Sequence, residues 1–172
     1  MSKVLVLSDS HGLTSELLHI KEKHKDDVNL FLHCGDSELP ANDPALEGFS
    51  VVRGNCDYDE EFPEDSIQVV KDKKIMITHG HLYHVKSSLT RLSYRAQELE
   101  AKIVCFGHSH ILGAEMVNGI LFLNPGSIRL PRQRKEKTYC ILEVIDDKII
   151  LNVYDINLGQ ITELSHEFIV SS

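Results

Sequence analysis

Five apolar runs in this chain each stop at a short polar cluster drawn from the same few residue types. Lys3–Leu7 runs into Ser8-Asp9-Ser10-His11-Gly12, and Val28–His33 into Cys34-Gly35-Asp36. Ser50–Arg53 runs into Gly54-Asn55-Cys56-Asp57, Lys74–Thr78 into His79-Gly80-His81, and Ile103–Phe106 into Gly107-His108-Ser109-His110. Short β-branched and leucine-rich runs bounded by turn residues are strand signals. Between the first two runs, Thr14–His24 carries Leu17, Leu18 and Ile20 among polar residues, which predicts a short amphipathic helix. The first third therefore reads as a parallel sheet with a crossover helix. Ligands of open α/β sheets bind outside the carboxyl ends of the strands, and the clusters fall there. Asp9, His11, Asp36, Asn55, His79, His108 and His110 bring carboxylate, imidazole and amide groups to five strand ends, which predicts a site for two divalent cations.

The remainder predicts more strands than helices. Ile67–Val70 and Lys74–Thr78 flank Asp72-Lys73 as a hairpin, and Ser87–Glu100 has leucines at helical spacing. Asn118-Gly119 sits between Ala114–Val117 and Ile120–Leu123, a strong hairpin signal. Tyr139–Ile145 and Lys148–Tyr154 flank Asp146-Asp147, and Ile161–Ile169 reads as one more strand. Parallel-type units followed by hairpins favour two stacked sheets with helices outside. With 172 residues, no repeat and no linker, one domain over residues 1–172 is expected.

Net charge is -8, which argues against a broad nucleic-acid surface yet leaves room for a phosphate substrate, because bound cations reverse the sign locally. No run approaches the roughly 18 apolar residues of a membrane helix, and Asp9 interrupts the N-terminal run too soon for a signal peptide. The four cysteines are scattered without a C-x-x-C pair, so a reducing, cytoplasmic setting is expected.

Asp9/His11 and His108/His110 are spaced i, i+2, which on extended backbone points both side chains to one side. Together, Asp9-Ser10-His11, Gly35-Asp36, Gly54-Asn55, His79-Gly80-His81 and Gly107-His108-Ser109-His110 resemble the five motifs of the calcineurin-like metallophosphoesterases. Order and approximate spacing match from residue 4 to about residue 127. Small size, Gly54-Asn55-Cys56-Asp57 and Asn124-Pro125-Gly126-Ser127 are most similar to the compact prokaryotic phosphodiesterase branch, which is related to a retromer subunit of the same fold. The resemblance implies an αββα sandwich of two mixed β-sheets flanked by helices. It also implies one metal on Asp9, His11 and His110, a second on Asn55, His79 and His108, and Asp36 between them. Mixed oxygen and nitrogen ligands suit Mn²⁺, with Ni²⁺, Fe²⁺, Zn²⁺ or Mg²⁺ as substitutes. The expected reaction is hydrolysis of a small phosphate ester by a hydroxide that the two cations share.

Many relatives have His where this chain has Cys56. A thiol is a weak hydrogen-bond donor, so modest turnover is expected if Cys56 takes part in catalysis; otherwise it fills a tight turn. His81 is a candidate to reach substrate in the same cleft. His19, His24 and His166 are expected on the surface, His33 at the edge of the core in preference to a packed position behind the ligands, and His84, near the start of the following helix, as a weaker candidate to reach substrate. Residues 129–137 hold five cations in nine positions, so Arg132 and Arg134 either capture an anionic substrate or belong to a solvated loop. Asp59–Asp65 reads as solvent-facing. Two other functions compete: a non-catalytic protein-binding scaffold of the same fold, and a phosphomonoesterase or nuclease. A scaffold has no need of all seven ligands together, and no extra domain is present to grip a long nucleic acid. No membrane partner is expected, and a homo-oligomer is left open.

Overall fold

The computed structural model describes Met1 to Ser172 and contains twelve strands and two α-helices. In chain order the strands are β1 (Ser2–Leu7), β2 (Leu30–His33), β3 (Phe49–Val51), β4 (Asp65–Val70), β5 (Lys73–Thr78) and β6 (Ile103–Cys105). They continue as β7 (Gly113–Val117), β8 (Ile120–Asn124), β9 (Thr138–Ile145), β10 (Lys148–Asp155), β11 (Gly159–Gln160) and β12 (His166–Ile169). The helices are α1 (Ser15–His24) and α2 (Thr90–Glu98).

The first sheet has the order β11-β10-β9-β1-β2-β3, with β12 also paired to β10. The second has the order β4-β5-β6-β8-β7. Both are mixed: β1 is parallel to β2 but antiparallel to β9, and β6 is parallel to β5 and β8 while β7 is antiparallel to β8. Alternate residues of both sheets, including Val4, Val6, Leu32, Ile75, Ile77, Ile103 and Leu142, form one cluster between them. A second cluster lies under α1 on the outer face of the first sheet, and a third under α2 on the outer face of the second. This is the αββα sandwich.

Helix α1 turns Leu17, Ile20 and His24 inward, the three- and four-residue spacing that places side chains on one helix face. His24 is therefore buried, not superficial, and its Nε2 lies 2.8 Å from Tyr139 Oη. Helix α2 is shorter than its periodicity suggests and ends before Glu100, whose backbone is left-handed (φ 58°). His84 lies well before it, in a left-handed conformation (φ 53°) that ends a 3-10 turn at His81–Tyr83. Residues 161–169 divide into a 3-10 turn at Thr162–Leu164 and β12. The acidic 59–65 segment is only partly solvent-facing. Phe62 is buried, and Asp65 begins β4 and accepts a hydrogen bond from Tyr83 Oη (2.5 Å).

Candidate metal centre

Asp9 and His11 follow β1, Asp36 follows β2, and Asn55 and Cys56 follow β3, all from the first sheet. His79 follows β5, and His108 and His110 follow β6, from the second. The site thus straddles the seam between the sheets. Its backbone is not extended: φ is 54° at Asp9, 42° at His11, 58° at Asp36, 72° at His108 and 62° at His110. Non-glycine residues avoid this region, and holding each there costs on the order of 1–3 kcal/mol. The extended geometry behind the i, i+2 expectation is therefore absent at both pairs; the side chains of Asp9 and His11 meet all the same (3.7 Å), whereas those of the other pair turn to different neighbours. His110 turns to Asp9, whereas the ring of His108 lies 5.1 Å from that of His79.

Asp9 Oδ1 is 3.1 Å from His110 Nε2, 3.7 Å from His11 Nε2 and 3.8 Å from His79 Nε2. Asp36 Oδ2 is 3.2 Å from His79 Nε2 and 4.0 Å from His11 Nε2. Ligand atoms of Asp9, His11 and His110 gather within 4.8 Å of one another, as do those of Asp9, Asp36 and His79. Cys56 forms a third such group with His11 and Asp36. Asn55 is exposed and shares a polar cavity of about 290 Å³ with His81, Arg53 and Glu64.

Hydrogen bonds behind the rings decide which atoms face inward. His110 Nδ1 donates to Leu130 O (2.8 Å) and His79 Nδ1 to Cys34 O (2.7 Å). His11 Nδ1 meets Glu38 Oε1 at 2.5 Å. Carbonyl and carboxylate oxygens are acceptors, so each Nδ1 carries the proton and each neutral ring presents the Nε2 lone pair. The Nε2 atoms of His11 and His110 nevertheless face each other at 3.3 Å. Asp9 Oδ1 and His79 Nε2 are buried with no aligned hydrogen-bond partner. Converging lone pairs without donors are costly to bury, and a cation placed among them satisfies all at once. The donor set therefore fits divalent metal ions.

The carboxylates and imidazoles also shift one another's proton affinities. Burial alone would raise the Asp9 and Asp36 carboxyls, but His110 and His79 beside Asp9, and His79 beside Asp36, outweigh it and hold both below the usual range. Burial would lower His79, but Asp36 and Asp9 raise it, and Asp9 raises His110. Burial and the neighbouring His79 push His108 down to about 4 and also lower His81. Burial and Asp36 push the Cys56 thiol up to about 11, so it is neutral at physiological pH.

Several residues that hold the site carry weak sequence signals. Asp57 is buried, and its Oδ2 accepts from the backbone N–H groups of Asp36 (2.9 Å) and Gly54 (2.6 Å) while Oδ1 accepts from that of Glu38 (2.8 Å). It ties the loop after β2 to the loop after β3. Its one sequence signal is an acid placed directly after the candidate ligands in a turn. Ser127 donates to Asp9 O (2.7 Å), and Asn124 donates to Ser109 Oγ (2.9 Å) and Gly107 O (3.2 Å). His33 is not a core-edge residue but fully buried: its Nδ1 accepts from Gly35 N–H (3.0 Å), so its Nε2 donates to Ser10 Oγ (2.8 Å). A Cβ at Gly54 would overlap Asp36 Oδ1, and one at Gly107 would overlap Asp9 Oδ2, so neither aspartate could keep its place. The basic loop divides. Arg132 donates its backbone N–H to His110 O (3.0 Å), and Arg129 donates to His11 O. Arg134 pairs with Glu136 (3.5 Å) and lines a separate groove with Leu151 and Phe168.

The family model for the calcineurin-like phosphoesterase superfamily domain matches residues 2–147. The chain belongs to that family. It is 47% identical over 163 residues to the probable metallophosphoesterase YsnB of Bacillus subtilis, covering 95% of this chain and 96% of that one. It is 31% identical over 114 residues to the phosphodiesterase YfcE of Escherichia coli K12, covering 62% of this chain and 56% of that one. A crystal structure of a predicted phosphoesterase from Streptococcus pneumoniae TIGR4 superposes with a TM-score of 0.93 at 36% identity, covering 98% of this chain and 97% of that one. Membership in the calcineurin-like family implies divalent metal ions, which the gathered donors suit.

Proposed function

We propose that the chain is a phosphodiesterase for small phosphate esters, working through a dinuclear metal centre. Asp9, His11 and His110 would hold one ion, Asn55, His79 and His108 would hold the other, and Asp36 would serve both. The observation that carries this reading is the pair of His11 and His110 Nε2 atoms facing each other at 3.3 Å with both Nδ1 atoms committed to oxygen. The names of YsnB and YfcE support it from outside. Mixed oxygen and nitrogen donors suit Mn²⁺, Fe²⁺, Ni²⁺ or Zn²⁺ more than Mg²⁺, and Mn²⁺ is the ion taken here. Two such ions, when bound, supply hydroxide at neutral pH and neutralise charge on the phosphoryl oxygens.

The chain's own groups do the rest. His81, neutral and with a buried Nδ1 that has no partner, stands beside Asn55 to contact a phosphoryl or leaving oxygen. Cys56 sits where a proton donor would help, but its neutral thiol donates weakly, which favours good leaving groups. Arg132 draws the anionic substrate toward the cleft. A scaffold has no need of all seven candidate ligands together, and this chain has them all. Four free thiols support the reading of a reducing, cytoplasmic setting.

The test is a metal-reconstitution series on EDTA-stripped protein, with bound metal counted and activity measured on bis- and mono-ester phosphates. Two ions per chain with diester turnover restored, Mn²⁺ leading, is the expected result. Full metal uptake without hydrolysis, or monoesters preferred, would overturn it.

A further inference from the structure

A cavity of about 560 Å³ opens beside the His108-Ser109-His110 turn, within the size range of ligand pockets. Ser109 and Asn124, hydrogen-bonded to each other, form the wall it shares with the candidate metal centre. The rest is largely apolar, with Val85, Leu89 and Phe106 among its lining residues. Two cations, Lys86 and Arg132, and one carboxylate, Glu115, complete it, and all three are exposed. The smaller cavity on the Asn55 and His81 side has no hydrophobic lining at all. The centre is thus flanked by one greasy compartment and one polar compartment. Inorganic phosphate or a short alkyl ester has no use for the first.

We propose that this cavity receives an aromatic ring carried by one ester arm of the substrate, so that the enzyme selects phosphate esters of ring-bearing alcohols. The proposal rests on the phosphodiesterase reading above. Val85, Leu89 and Phe106 supply the apolar contact, and Lys86 and Arg132 keep the charged end of the molecule at the rim. Removing a ring from water against such residues is strongly favourable, whereas a methyl group gains little there.

Phenylphosphonate and methylphosphonate share a head group, differ only in the ring, and cannot be hydrolysed as esters. Calorimetric titration of both into the Mn²⁺-loaded full chain reads the cavity without turnover. Phenylphosphonate is expected to bind at least about tenfold tighter. The preference should collapse in Glu115→Trp and in Gly113→Leu, each confirmed folded by circular dichroism. Both residues line the cavity, and a Cβ at Gly113 meets nothing within 4 Å, so that variant is expected to fold. A preference below about threefold, or one that survives in both filled variants, overturns the proposal. Intact ring selectivity without hydrolysis of any ester would count against the phosphodiesterase reading alone.

Discussion

Asp57→Ala isolates what the buried turn acid contributes. Its carboxylate accepts from three backbone N–H groups, and two of these, on Asp36 and Gly54, belong to fully enclosed residues. The third, on Glu38, belongs to an exposed residue and can turn to water. Leaving a buried donor unsatisfied costs about 1–3 kcal/mol, so the two together predict a loss of roughly 4 kcal/mol. For a chain of this length that is a melting temperature lower by roughly 8–16 °C. Asp57→Asn keeps an oxygen for the two buried donors but turns an amide toward Glu38 N–H, so a loss of roughly 1–2 kcal/mol is expected. Because Asp57 fixes the peptide N–H of Asp36, metal affinity should fall about 10–100-fold in the alanine variant. Urea denaturation of metal-free protein and a metal titration measure the two effects separately. If Asp57→Ala costs less than about 1 kcal/mol and binds metal like the parent, the hydrogen-bond count does not describe what holds this loop.

Asp36→Asn should lower turnover by several orders of magnitude and reduce bound metal; near-normal activity at full metal content would refute the shared-ligand assignment. Cys56→His, which exchanges a neutral thiol for a better proton donor, should raise turnover most on esters with poor leaving groups, as a leaving-group series would reveal. His33 is pushed down to about 4 by burial, from an ordinary value of 6.5. Because the folded value is the lower one, its contribution of about 3 kcal/mol is complete above pH 6.5 and is lost as the pH falls from there toward 4. Denaturation curves of wild type and His33→Gln across that window should converge as the pH drops, and parallel curves would exclude His33 as the cause. Arg132→Ala should raise KM more than it lowers kcat, while Arg134→Ala leaves KM unchanged; equal effects would remove the distinction between the two arginines.

What could be read in the sequence was local. Strand ends are marked by apolar runs that stop at glycine and polar residues, and Asn118-Gly119 marks its turn because both residues adopt positive φ (52° and 77°). The inward position of His24 was also legible, since it continues the Leu17 and Ile20 stripe at the next helical step. Sheet order was not. Ser2 pairs with Val144 and Val6 with Cys140, and nothing near either segment specifies a partner so far along the chain. The positive φ values at five candidate ligand residues were equally hidden, because side chains that prefer ordinary backbone are forced out of it by tertiary contacts. That is why an extended-strand argument misdirected His108. Asp57 went unnoticed because a lone acid in a polar turn looks like any solvated residue until the N–H groups around it are seen.

The candidate ligands come from both halves of the sandwich: Asp9 Oδ2 takes a hydrogen bond from His108 N–H (3.1 Å) and His79 reaches across to Cys34 O. An ion seated there would act as a rivet through two plates. Occupancy and cohesion then become a single linked equilibrium, and free metal at about 100 times its dissociation constant would add about 2.7 kcal/mol to unfolding. A chelator would therefore do more than silence the enzyme. It would loosen this rim of the molecule first, and the melting temperature would report the metal content of the buffer.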